Sequence, residues 1–435
     1  MRDWSPEQVA AAAGATIAAG GHAPAHSAAP GPSRATIDSR DVRPGDLFIG
    51  LAGTRTDGGR FATGALEAGA WGVLVAPGHA AGLPPGVVLA AGDPLAAMHA
   101  LARAWRRELG AQVVGITGST GKTSTKDLLA AMLRQDLRVV ASRENHNTEI
   151  GLPLAILGAP PGTQALVLEM AMRGGGQIAE LAAIAEPDVG VIVNVGPVHL
   201  ELLGTLEAVA AAKAELLAGL RPGATAVLPA GEPLLDAHRR EDLRTVTFGA
   251  GGDVADLDEL SLPFDSAHMR SNALAALAAA RALGARPRGM LDVTLSARRG
   301  QRTQLGSLLI IDDCYNANPM SMRAALDDLA ASAAGRRVAV LGDMLELGTE
   351  EVRYHEQIGA HAAAGGVDVL IAVGPLAAHI GPAFGGETHL AGDAAEAASL
   401  TGALVRPGDT VLVKGSRGVG LEVVCEHLRA AVAGA

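Results

Sequence analysis

The sequence predicts an α/β protein of three domains: a small N-terminal α/β domain, a central parallel sheet built around a phosphate-binding loop, and a second doubly wound domain at the C-terminal end. Three observations predict it. The chain has 435 residues, more than one ordinary core organises. From Gln112 onward, short Val-rich runs alternate with helical stretches, the pattern of parallel strands covered by helices on both faces. A glycine turn at 117–123 lies between one such strand and the next helix.

Composition narrows the class. Hydrophobic residues make up 49% and charged residues 19%, so a core is available and wholesale disorder is not expected. Aromatics are only 2%, which leaves the apolar load to Ala, Leu and Val. The net charge is −11, and no basic run reaches five residues, so no broad nucleic-acid surface is expected. A local basic pocket for phosphates is compatible with that balance. The two cysteines, Cys314 and Cys425, form neither a disulfide framework nor a zinc spacing. Residues 1–10 carry Arg2, Asp3 and Glu7 in place of the apolar core of a signal peptide, and the alanine-rich 273–280 reads as helix, not as a membrane span. A cytoplasmic protein without membrane insertion is expected.

Residues 1–108 read as the first domain, with strands at 46–51 and 71–76, a helix at 65–70 between them and a loop at Pro84-Pro85. Residues 109–303 form the central domain, with strands at 113–116, 165–169, 189–195 and 226–228 and a helix at 124–134. Residues 304–435 form a Rossmann-like third domain, with strands at 308–312, 337–341, 367–373 and 410–414. Sheets of this kind bind ligands beyond the carboxyl ends of their strands, so that edge is where chemistry is expected.

The run Thr117-Gly118-Ser119-Thr120-Gly121-Lys122-Thr123 is a short form of the P-loop, its standard first glycine falling on Ile116. Glycines let backbone N–H groups turn toward phosphate oxygens, and the helix N-terminus beginning near Ser124 adds partial positive charge. Lys122 can reach the outer phosphates of a nucleotide, and the Thr123 hydroxyl can ligate Mg²⁺. Glu169 closes a buried strand at the same edge and is a hard oxygen ligand suited to Mg²⁺, although a strand-end salt bridge is the commoner use of a lone Glu. His199 follows the strand at 189–195 by a short loop and shares that edge. Lys213 lies in a charge-poor helix, where spacing alone reads it as a surface lysine paired with Glu207 or Glu215.

Taken in order, Thr117–Thr123, Asn145-His146-Asn147, Glu169, the 194–204 segment, Lys213, Asp313-Cys314-Tyr315-Asn316-Ala317-Asn318-Pro319 and Lys414-Gly415-Ser416-Arg417 resemble the Mur ligases, over nearly the whole chain. The opening domain is similar to that family's UDP-binding domain through Asp38-Ser39-Arg40 and Asp57-Gly58. The resemblance implies an ATP-dependent, ADP-forming amide ligase of peptidoglycan synthesis, and the Tyr-Asn-Ala-Asn-Pro form implies D-Ala-D-Ala addition to UDP-MurNAc-tripeptide. Another amide ligase of the superfamily (a different Mur step, a folylpolyglutamate or a cyanophycin type) and a non-catalytic nucleotide-binding paralogue are the alternatives. By the resemblance, the 118–124 loop, Asn147, Asn272, Asp313, Tyr315 and Asn316 would hold ATP. Thr123, Glu169, His199 and Lys213 would hold two Mg²⁺ ions, with Lys213 carbamylated by CO₂. Ser39 and Arg40 would meet the UDP substrate, and Lys414, Ser416 and Arg417 the incoming dipeptide or the acyl phosphate. A monomer is implied. Cys314 stands where a small residue is usual and reads as packing. The segment 248–271 is short for the family, Ser266-Ala267-His268-Met269 replaces its Gly-Arg-His-Asn element, and Arg298-Arg299-Gly300 is the loose counterpart of its Gly-Arg element.

Overall fold

The computed structural model describes residues 1–18, 30–143 and 145–433. Three sheets organise them. The first contains β1 (Thr16–Ile17), β2 (Ala35–Thr36), β3 (Leu47–Ile49), β4 (Gly72–Val75) and β5 (Val87–Ala90), in the order β1-β5-β4-β3-β2, with only β1 antiparallel to its neighbour. The second contains β6 (Gln112–Thr117), β7 (Val139–Ala141), β8 (Ala165–Glu169), β9 (Val189–Ile192), β10 (Thr225–Pro229) and β11 (Arg244–Phe248), all parallel in the order β11-β10-β9-β6-β8-β7. A two-stranded pair, β12 (Leu260–Ser261) with β13 (Gly289–Met290), follows it. The third sheet contains β14 (Gln301–Leu305), β15 (Leu308–Asp312), β16 (Arg337–Gly342), β17 (Val369–Val373), β18 (Glu387–Ala391) and β19 (Thr410–Lys414) in the order β14-β15-β19-β16-β17-β18. It is parallel except for the edge strand β14.

Strand side chains alternate between faces, and helices cover both. Val113, Leu166 and Leu168 enter one core, while Val114, Ile116 and Val167 enter another on the opposite face. The third sheet divides likewise, with Ala339 and Leu341 on one side and Val338 and Val340 on the other. The core that takes Val113 does not stop at the central domain. It continues through the helix Pro94–Leu109 to Leu47, Trp71 and Leu89 of the first sheet.

Polar ties reinforce that junction. Asp93 caps the helix Pro94–Leu109 by accepting from Leu95 and Ala96 N–H, and Pro94 occupies its first turn, where no N–H is needed. From its last turn, buried Arg106 donates to the carbonyls of Ala185 (3.0 Å) and Glu186 (2.8 Å) and to Asp188 (3.0 Å). Trp105 donates to the Ala159 carbonyl at 3.0 Å.

Several boundaries differ from the expected ones. The strand expected at 189–195 stops at Ile192, because Asn194 turns its side chain to the phosphate loop. The phosphate-loop helix starts at Lys122, and the helix expected at 65–70 runs Ala62–Glu67. The division expected at 303/304 falls inside β14. That strand forms a hairpin with β15 and so belongs to the third sheet from Gln301 onward. No helix among the described residues is long and apolar enough to cross a membrane.

Arg106→Ala leaves two carbonyls and part of Asp188 without a donor in a buried site, and should cost about 2–3 kcal/mol. A urea titration reads this as a lower midpoint. Arg107→Ala, which removes an exposed pair with Glu186, should cost less than about 1 kcal/mol.

Candidate active site

Between β6 and the helix Lys122–Leu133 the chain must reverse direction tightly, and Gly121 does so at φ 77°. A Cβ there would also strike the Asn272 side chain. Asn194 braces the loop: its carbonyl oxygen accepts from Ser119 N–H (3.1 Å) and Thr120 N–H (3.0 Å), and its amide donates to the Thr120 carbonyl (3.2 Å). The Ser119 hydroxyl donates to the Gly196 carbonyl and accepts from the Gly196 N–H. No side chain caps the helix, so its first-turn N–H groups are left for an anion. Lys122 folds over the loop and donates to the Gly118 carbonyl at 2.8 Å.

Glu169, at the end of β8, is buried beside this loop. It accepts from the Thr123 hydroxyl at 2.7 Å and from the Asn147 amide at 2.9 Å. Burial pushes its carboxyl up, but the Lys122 and Arg299 charges and the two hydrogen bonds outweigh it, leaving the group below the ordinary range and ionised. Lys122 is lowered by burial, against the pull of Glu169 and with the push of Arg299. Lys213 is 1% exposed, and no hydrogen bond or ion pair reaches its amine from the described residues. Burial, with the Lys122 charge, holds it well below the usual lysine range. His199 sits at φ 54° with its Nδ1 2.5 Å from Glu346. Burial lowers its imidazole, opposed by that carboxylate.

The third domain supplies the facing wall. Asn318 and Pro319 start the helix Pro319–Ser332, with Asn318 and Ser321 capping each other. This places Asp313, Tyr315 and Asn316 just outside the carboxyl end of β15. Buried Lys414 donates to Asp313 Oδ2 at 2.6 Å and to the Asn316 carbonyl at 3.1 Å, so its charge is already balanced. Tyr315 donates to the side chain of Asn145 in the central domain, which also accepts from Arg417 at 3.3 Å. Arg299 lies with its guanidinium 4.0 Å from the Tyr315 ring centroid, and its buried Nε has no partner among the described residues.

These groups enclose a cavity of about 880 Å³. Of the residues singled out from sequence, Ser119 to Ser124, Asn147, Glu169, His199, Asn272, Asp313, Tyr315, Asn316 and Lys414 line it. Gly118 and Lys213 lie behind the lining, Gly118 as the acceptor of Lys122 and Lys213 within reach of the Lys122 charge. Arg417 reaches the cavity rim through Asn145, and Ser416 is buried beneath it, accepting from Leu345 N–H. Ser39 and Arg40 do not line this cavity. They sit in a first-domain loop, where Arg40 is paired with Asp38 and its side chain is 86% exposed. Sequence reasoning passed over Asn194, Arg299 and Glu346 as site residues. Asn194 carried a signal, since it follows a strand at the same edge as Glu169.

Thr123 and Glu169 as oxygen donors, with His199, whose Nε2 has no partner among the described residues, suit divalent cations beside a polyphosphate. An unprotonated amine is the form that reacts with CO₂, and burial shifts Lys213 in that direction. Among the described residues, the one trio of His, Cys, Asp or Glu donors within 4.8 Å of one another is Asp312, Cys314 and Cys425. Asp312 there is occupied by Arg429 and by the Cys314 thiol, so the trio packs the third domain.

Fold and site together are those of an ATP-using ligase, with a phosphate loop in a cavity that two domains line. Models of the Mur ligase middle domain, of the Mur ligase glutamate ligase domain and of the Mur ligase family catalytic domain match residues 116–271, 298–417 and 33–102. A UDP-N-acetylmuramoyl-tripeptide–D-alanyl-D-alanine ligase of Synechocystis sp. is 40% identical, over 90% of this chain and 91% of its own. The crystal structure of MurF from Acinetobacter baumannii is 28% identical and covers 98% of both chains with a TM-score of 0.86. That of MurF ligase from Thermotoga maritima in complex with ADP is 31% identical, covering 92% of this chain and 97% of that one with a TM-score of 0.80. The chain belongs to the Mur ligase family.

Gly121→Ala should weaken ADP binding by on the order of tenfold, since a left-handed Ala alone costs about 1–2 kcal/mol. Titration calorimetry reads this, with circular dichroism unchanged.

Proposed function

We propose that this chain joins D-Ala-D-Ala to UDP-MurNAc-tripeptide, with ATP converted to ADP and phosphate, as a cytoplasmic step of peptidoglycan precursor synthesis. The observation that carries the reading is one cavity with the phosphate loop, Glu169 and His199 on one wall and Asp313, Tyr315, Asn316 and Lys414 on the other. The name and coverage of the Synechocystis relative support the substrate pair. The ADP of the Thermotoga structure supports the nucleotide.

A carboxylate is a poor acyl donor because its leaving group would be oxide. Attack of the substrate carboxylate on the γ-phosphorus of ATP forms a C–O–P bond and releases ADP, leaving an acyl phosphate. The dipeptide amine then adds to the acyl carbon, loses a proton and expels phosphate. Lys122 and the first-turn N–H groups neutralise charge on the transferred phosphoryl oxygens. Arg299 offers a further cation with an unpaired Nε. Thr123, Glu169, His199 and Lys213 would hold two Mg²⁺ ions, with Lys213 as its carbamate, and the metals would supply further neutralisation of the phosphates. The neighbours of Glu169 favour its ionised form and burial shifts Lys213 toward its unprotonated form, the directions those roles require. Asn272 lies against Gly121 and is assigned to the nucleotide. Ser39 and Arg40 are assigned to the UDP end of the substrate, outside the main cavity. Lys414, Ser416 and Arg417 are assigned to the incoming dipeptide or the acyl phosphate.

The direct test is phosphate release with UDP-MurNAc-tripeptide, D-Ala-D-Ala and ATP. Release that requires both substrates is expected, and release indifferent to the dipeptide removes the assignment. Lys122→Ala should lower kcat by about 10²- to 10³-fold, as loss of one transition-state donor does, with the unfolding midpoint retained. Lys213→Ala should abolish ligation, and a short-chain carboxylic acid should partly restore it. Full activity in that variant would mean a packing lysine.

A further inference from the structure

The loop after β16 reaches out of the third domain and touches the central domain at His199. It is held rigidly. Asp343 accepts from Ala377 N–H at 2.7 Å, Met344 N–H donates to the buried His355 ring at 2.9 Å, and Leu345 N–H donates to Ser416 at 3.0 Å. Met344 and Leu347 are buried in the third-domain core. Between them Glu346 adopts φ 63°, in the left-handed region that non-glycine residues avoid. Its partner His199 is left-handed too, at φ 54°, opening the short helix Leu200–Leu203. Two strained residues facing each other across a domain boundary mark a contact that the surrounding structure enforces.

The contact has three parts. His199 Nδ1 lies 2.5 Å from Glu346 Oε2, and Glu201 N–H donates to the Glu346 carbonyl at 3.3 Å. Arg173 Nε stands 3.8 Å from the other carboxylate oxygen. The backbones approach closely here, since a Cβ on Gly348 would lie 3.3 Å from Glu201 Cα. With Nδ1 committed to a carboxylate, a neutral imidazole carries its proton there and leaves Nε2 as the acceptor. A histidine that ligates a metal is commonly held by a carboxylate on its other nitrogen.

We propose that Glu346 is a positioning residue for the divalent cation at the nucleotide, fixing the tautomer and ring of His199 so that Nε2 is the ligand. The carboxylate comes from the third domain and the imidazole from the central one. Cation affinity therefore depends on contact between the two. The proposal rests on the reading of His199 as a metal ligand given above.

The test uses the full chain and two measurements. Glu346→Gly and Glu346→Asn both tolerate a positive φ, and neither can place an acceptor at Nδ1. Mn²⁺ binding in the presence of ADP, followed by electron paramagnetic resonance, should weaken roughly 10- to 100-fold in both variants, the usual cost of losing such a carboxylate. Glu346→Gln, which keeps an acceptor oxygen, should recover most of the affinity. Nitrogen-15 spectra of histidine-labelled protein without metal, with His199 assigned by its loss in His199→Gln, should show the Nδ1–H tautomer in the parent. A mixture is expected in the two truncated variants. Variants that bind Mn²⁺ as tightly as the parent and keep its tautomer overturn the proposal. A parent that binds no Mn²⁺ beside ADP overturns the metal reading itself, while the tautomer measurement still decides what Glu346 does.

Discussion

The carboxyl edge of the central sheet crowds ionisable groups together out of water, and much of the site follows from that constraint. Lys122 and Arg299 act on the Glu169 carboxylate, and Lys122 acts on Lys213 behind the wall of a partly enclosed cavity. Charges taken out of water without partners are costly. Each group here meets the cost differently. Lys122 shares Glu169 and leans on the Gly118 carbonyl, burial with the Lys122 charge lowers Lys213, and Arg299 stacks on Tyr315 with its Nε unpaired among the described residues. A polyanion entering the cavity would offset the Lys122 and Arg299 charges. Lys414 in the facing domain is different, since Asp313 already balances it.

The backbone geometry serves the same end. A parallel sheet delivers β6, β8 and β9 to one edge, so the glycine turn, Glu169 and Asn194 become neighbours although far apart in sequence. The third sheet repeats the arrangement with β15 and β19, which deliver Asp313 and Lys414 side by side. The two edges face each other across the cavity, joined at its rim by Tyr315, Asn145 and Arg417 and further along by Glu346 and His199.

Much of this was legible because it is local. The interior strands of the second and third sheets announced themselves as apolar runs, and the phosphate loop by glycine spacing between a strand and a helix. Residues at strand ends, such as Glu169, could be placed on the shared edge from topology alone. What escaped depends on contacts made at long range. β7, β11 and β14 are short or polar-faced edge strands whose pairing only the neighbouring strand determines. Lys213 looked like a surface residue because the helix pattern says which face is apolar, not how deeply the helix is covered. Glu346 sits in a loop whose partner lies 147 positions away, and no periodicity points to it.

The apolar core that runs unbroken from Leu47 and Trp71 through Leu101 to Leu168 and Leu216 has a further consequence. It ties the first sheet to the second through buried side chains. The separation between the 38–46 loop and the phosphate loop is therefore held by packing. Any molecule that spans the two is measured against that packed distance, which discriminates by length.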